Sequence, residues 1–154
     1  WAAPFERLSQ SWRTATYDHR GTGATRHRAP ASTFDLLVGD LFRVLDALNI
    51  DTCVLAAESM GAMVALEAAL RHPERFTGLV IVGGRYSGAR IITLPTLVLH
   101  GRQDVIAPLA SSERLVELVA GSKLVVSEDA GHVPTVTRPN WVASEINAFF
   151  ATPA

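Results

Sequence analysis

The chain has 154 residues, 48% hydrophobic and 19% charged, which fits one globular domain over residues 1–154 and excludes a disordered polymer. Its formal net charge is -1 and no basic stripe is present, so nucleic acid is not an expected partner; Arg20, Arg26, His27 and Arg28 read as a small solvated cluster. No apolar stretch approaches the roughly 18 residues of a membrane helix, no signal peptide is visible, and the lone Cys53 can form no internal disulfide, so the expectation is a reducing, cytoplasmic setting without membrane attachment.

The chain starts at Trp1 and its only methionines are Met60 and Met63, so the natural N-terminus is expected to lie outside these residues. From there, short apolar runs alternate with amphipathic stretches, the pattern of a mostly parallel sheet with helices on both faces. The predicted strands are Thr14–Tyr17, Thr52–Ala56, Gly78–Val82, Thr96–His100 and Lys123–Ser127. Such near-continuous apolar runs suit strands buried on both sides. Between the first two, Phe34, Leu37, Val38, Leu41, Leu45 and Leu48 repeat at helical spacing, with Ser32 and Asp35 as a capping box. An alanine-rich helix runs from Met60 to about Leu70 and stops before Pro73. Ser111 to Val119 forms another helix, ended by Gly121, and Asn140 to about Phe150 the last. Only the interval from Gly83 to Leu94 breaks the alternation: it is barely long enough for a parallel crossover, and Arg85-Tyr86-Ser87-Gly88 does not read as a helix.

The strongest chemical signal is Ala57-Glu58-Ser59-Met60-Gly61, placed after a strand and before a helix. A nucleophile elbow needs that context: the serine occupies a sharp turn, and small residues two before and two after it avoid clashes. A serine capping a helix is the competing reading of the same residues. Chain order favours the elbow. Asp104 follows the strand Thr96–His100, and His132 follows the strand Lys123–Ser127. In a parallel sheet the carboxyl ends of the strands share one edge, so Ser59, Asp104 and His132 should meet there in the order this architecture uses.

Those residue types define acyl transfer. A serine hydroxyl is a weak nucleophile, so His132 would take its proton while Asp104 fixes the ring's tautomer and stabilises the imidazolium. The backbone N–H of Met60, at a helix N-terminus, would meet the oxyanion. Glu58, beside the nucleophile, is expected to point away from the reacting centre and to support it. Gly21-Thr22-Gly23 lacks the third glycine of a dinucleotide fingerprint, since Arg26 stands there, and no helix opens after it, so no cofactor is expected. His19, His27, His72 and His100 lack metal-ligand spacing, so no metal is expected.

These motifs together resemble the α/β-hydrolase superfamily over nearly the whole chain. Tyr17-Asp18-His19-Arg20-Gly21-Thr22-Gly23 is similar to its Asp-x-Arg-Gly-x-Gly turn, Arg71-His72-Pro73-Glu74-Arg75-Phe76 to the loop after the elbow helix, and Pro95 to Asp104 to its acid-bearing strand. The nearest branch is that of esterases, enol-lactonases and cofactor-free perhydrolases; a haloalkane dehalogenase would carry Asp at the elbow. The resemblance also implies features that this sequence lacks. The family's opening hairpin and the strand ending in a His-Gly loop, source of the second oxyanion donor, have no match here. Trp1 to Leu8 looks like the helix that follows that loop. The unmatched strand would lie between Thr14–Tyr17 and Thr52–Ala56, and the cap, at 84–94, is reduced to a short link.

The expected function is therefore a serine hydrolase that cleaves a small-molecule carboxylic ester, lactone or thioester through an acyl-enzyme on Ser59. The alternative is a non-catalytic, hydrolase-like binding module, or an incomplete fragment lacking the second oxyanion donor. Peroxide in place of water would make a perhydrolase with the same three residues. Nothing in the sequence selects a particular substrate or oligomeric state.

Overall fold

Four runs of Val, Leu and Ile form the sheet in the computed structural model, which describes residues 1–26, 33–85 and 92–151. They are β1 (Cys53–Glu58), β2 (Phe76–Val82), β3 (Thr96–Gly101) and β4 (Lys123–Ser127), paired in parallel in the order β1-β2-β3-β4. The two central strands are the most apolar and the most deeply buried, as expected where helices cover both faces.

Side-chain alternation along the strands sorts the core into two layers. Leu79, Ile81 and Val98 face α2 (Phe34–Ala47), α3 (Met60–Arg71) and α4 (Leu109–Leu118). Val80, Val82, Leu97 and Leu99 face the other way, toward α1 (Ala2–Leu8) and α6 (Pro139–Phe150). Between β4 and α6 lies a one-turn helix, α5 (Pro134–Thr137), which sequence periodicity is too short to reveal. A 3-10 turn at Pro73–Arg75 likewise connects α3 to β2.

Helix ends follow local chemistry. Thr33, not Ser32, caps α2: its Oγ1 accepts the Leu36 N–H at 3.2 Å, and Ser32 lies outside the described residues. The α3 helix runs to Arg71, two residues before Pro73, whose ring and missing N–H prevent continuation. Pro108 and Arg138 precede α4 and α6, so both begin slightly earlier than the periodic residues suggest.

One expected strand is not a strand. Thr14–Tyr17 joins no ladder, and β1 is the edge of the four-stranded sheet. A strand exists through its partner's hydrogen bonds, and no ladder joins the two segments. A cavity of about 1410 Å³ lies between them, lined by Thr14, Tyr17 and His19 on one side and Cys53, Leu55 and Ala57 on the other. Most of the link at 84–94, where a reduced cap is expected, lies outside the described residues.

Candidate active site

The turn from β1 into α3 places Ser59 in a backbone conformation that side chains rarely adopt, with φ 54° and ψ -119°. Such a residue is held by its surroundings at a cost of order 1–3 kcal/mol. Here Ser59 N–H is tied to the Val82 carbonyl at 2.9 Å, and α3 starts at the next residue. The sequence flanks this turn with small side chains. A Cβ added at Gly61 would lie 3.7 Å from that of Ala57, in contact without overlap. The backbone N–H of Met60 is the first of α3, where N–H groups lack intrahelical acceptors and the helix dipole is positive.

Asp104 lies in the turn after β3, with 1% of its side chain exposed. Its Oδ1 accepts the Ile106 and Ala107 N–H groups, both at 2.8 Å, and its Oδ2 faces His132 Nδ1 at 2.7 Å. Burial pushes this carboxyl up, but the Ala107 N–H, the His132 ring and the Ile106 N–H outweigh it and hold Asp104 below the usual carboxylate range. The turn itself rests on His100, fully buried, whose Nε2 donates to the Ala107 carbonyl at 3.0 Å while Nδ1 meets Ser112 Oγ at 2.7 Å. Sequence reading sets His100 aside as a non-metal histidine. Its supporting role shows only once α4 brings Ser112 alongside.

His132 follows β4 in the loop that leads to α5. Its Nδ1 engages Asp104 and its Nε2 lies 2.9 Å from Ser59 Oγ. Two glycines make room for this junction. A Cβ on Gly101 would fall 2.3 Å from the carbonyl oxygens of both Ala130 and Gly131, so only glycine lets the end of β3 approach the histidine loop. Gly83, at φ 55°, would place a Cβ 3.5 Å from Asp104 Oδ2 and His132 Nδ1. The loop is also pinned by Gln103 N–H on the Ala130 carbonyl at 2.9 Å and by the Arg138–Asp129 ion pair.

His132 thus touches both Asp104 and Ser59, and so joins the three residues singled out by chain order. Glu58 accepts the Thr135 hydroxyl at 2.7 Å. Burial raises its carboxyl above the usual range, only partly opposed by Thr135 and by nearby His132. The Asp18–Gly23 turn is a structural knot: Asp18 Oδ2 accepts the Ala24 N–H at 2.9 Å, and a Cβ at Gly23 would collide with that carboxylate at 2.1 Å. Arg20 makes a two-pronged pair with Asp40 of α2 at 2.6 and 2.7 Å. His27 and Arg28 lie outside the described residues.

Met60 and Val133, next in sequence to Ser59 and His132, and Ile106, two residues after Asp104, are exposed, as is Val136 of α5. Among the described residues no His, Cys, Asp or Glu cluster could hold a metal ion. No described helix is long and apolar enough to cross a membrane.

Two family models divide the chain between them. One, described as serine aminopeptidase, S33, matches residues 5–91, and the other, described as TAP-like protein, matches residues 85–154. RutD of Caulobacter vibrioides, named as a carbamate hydrolase, is 38% identical over 85 residues, which are 54% of this chain and 32% of that protein. The chain thus spans under half the length of the curated relatives it matches. Among solved structures, a meta-cleavage product hydrolase from Pseudomonas fluorescens has a TM-score of 0.91 at 20% identity, covering 97% of this chain and 84% of the other. A thermophilic esterase from Thermogutta terrifontis has a TM-score of 0.89 at 20% identity, covering 97% and 83%. At these identities the structural likeness is one of fold.

Proposed function

Since the chain belongs to the α/β-hydrolase superfamily, through the family described as serine aminopeptidase, S33, we propose that it is a serine hydrolase acting on carboxylic esters, lactones or thioesters of small molecules. The observation that carries this reading is the unbroken relay from Ser59 Oγ through His132 to Asp104, with contacts of 2.9 and 2.7 Å. Asp104 accepts from His132 Nδ1, which leaves Nε2 free to take the serine proton as Oγ attacks the substrate carbonyl. The resulting oxyanion draws on the Met60 N–H at the start of α3. Collapse of the intermediate expels the alcohol or thiol, which receives the proton from His132. Water then enters by the same route and releases the acid.

The exposed apolar side chains of Met60, Ile106 and Val133, close in sequence to the three residues, would suit an apolar acyl or alcohol group. Carbamates form a second candidate class, since RutD is named for them and their carbonyl is open to the same attack. A binding module without turnover is the competing reading.

Intact mass after treatment with a fluorophosphonate tests the proposal. Ser59 Oγ would displace fluoride and give one adduct on the parent chain and none on Ser59→Ala. A parent chain that folds by circular dichroism yet takes up no label would favour the binding module.

A further inference from the structure

We propose that Glu58 and Thr135 form a positioning pair that clamps the histidine loop to the nucleophile elbow and so sets the distance between His132 Nε2 and Ser59 Oγ. This inference rests on the acyl-transfer reading of the triad and adds two residues to it.

The relevant geometry is the short route from one residue to the other. Glu58 is one peptide bond before Ser59 at the end of β1, and Thr135 is three residues after His132 in α5. The Thr135 hydroxyl donates to Glu58 Oε2 at 2.7 Å, across 77 residues of sequence. Among the described residues no other side chain of the histidine loop hydrogen-bonds to the elbow strand, apart from His132 on Ser59 itself.

Asp104 cannot set that distance alone. Its bond to Nδ1 fixes which way the ring faces, but Asp104 belongs to the turn after β3, two strands from β1. The backbone around His132 needs its own anchor to β1. The α5 turn supplies a stiff lever, because Val136 and Thr137 N–H both bond to the Val133 carbonyl, and Arg138 N–H bonds to that of Pro134. Thr135 sits on this lever with 2% of its surface exposed.

The chemistry of the acceptor points the same way. Glu58 Oε1 is buried and has no hydrogen-bond partner, an arrangement that costs stability. Its other oxygen accepts from Thr135 alone. Stability is thus given up at the residue next to the nucleophile, where a fixed loop position serves the chemistry.

Three variants test the pair on the full chain: Thr135→Val, which removes the hydroxyl and keeps the shape; Thr135→Ser, which restores it; and Glu58→Gln, whose amide oxygen still accepts. The readouts are the second-order rate of fluorophosphonate labelling at Ser59, and kcat and KM on 4-nitrophenyl acetate, with near-ultraviolet circular dichroism confirming the fold. Thr135→Val should slow labelling on the order of ten- to a hundred-fold and lower kcat with KM held, the signature of a displaced base. Thr135→Ser and Glu58→Gln should each recover most of the parent rate. Equal labelling rates in the parent and Thr135→Val would overturn the pair's role while leaving the triad intact. A Thr135→Ser variant as slow as Thr135→Val would also overturn it. No labelling of the parent would instead remove the acyl-transfer reading, and this inference with it.

Discussion

His132 Nε2 lies 2.9 Å from Ser59 Oγ although 73 residues separate them in sequence. The contact arises because β1 and β4 run in the same direction, so the residues just beyond their C-terminal ends arrive at one edge of the sheet. Replacing Ser59 with Ala should leave the fold unchanged and lower ester turnover on the order of a thousand-fold or more. Steady-state kinetics beside a thermal melt would check it; retained turnover would move the chemistry to another group.

Asp104 uses its two oxygens for different purposes, Oδ1 on the turn and Oδ2 on His132. Asp104→Asn keeps an oxygen for the Ile106 and Ala107 N–H groups but presents an amide NH2 to the ring. Nδ1 would then have to accept, leaving the proton on Nε2, where the serine needs an acceptor. The expected result is a folded protein with kcat down on the order of ten-thousand-fold. Near-parent kcat in a folded Asp104→Asn protein would contradict the assigned tautomer.

Gly101→Ala should damage both stability and chemistry, because its Cβ would meet two loop carbonyls at 2.3 Å. Overpacking of this kind typically costs about 1–3 kcal/mol. Urea denaturation should show the loss, and fluorophosphonate labelling should slow in the remaining folded protein because the histidine loop must move. The same change at Gly121, where a Cβ would meet nothing within 4 Å but φ is 75°, should cost stability only.

Glu58 makes stability depend on pH in a particular direction. Its folded pKa is raised, first by burial, so the folded state holds this proton at pH values where the unfolded chain has released it. Stability therefore falls as pH rises from the unfolded carboxylate range through the raised folded value, and stays lower above it. Glu58→Gln removes that dependence. The variant's melting temperature should exceed the parent's at pH 7–8, with the difference shrinking toward pH 4, as differential scanning fluorimetry across pH would record. A difference that grows on acidification would reverse the assignment. Asp104 contributes with the opposite sign: its lowered pKa gives stability at neutral pH that is lost as pH falls through the folded value.

Sequence by itself determined the parallel α/β architecture, because buried strands and covering helices impose distinct apolar periods that Gly78–Val82 and Met60–Leu70 display without ambiguity. It also determined the candidate triad: Ser59, Asp104 and His132 each follow a strand, and strand direction alone brings such positions together. Thr14–Tyr17 has the composition of a strand, yet strand character is a property of the pair, and among the described residues it joins no ladder. Only the tertiary structure decided which polar residues meet across long separations. Glu58 with Thr135, His100 with Ser112 and Arg20 with Asp40 carry no local pattern. Their contacts depend on where α2, α4 and α5 come to rest against the sheet, and helix packing is set by side-chain interlock over a whole surface, not by the spacing of residues along one stretch of chain.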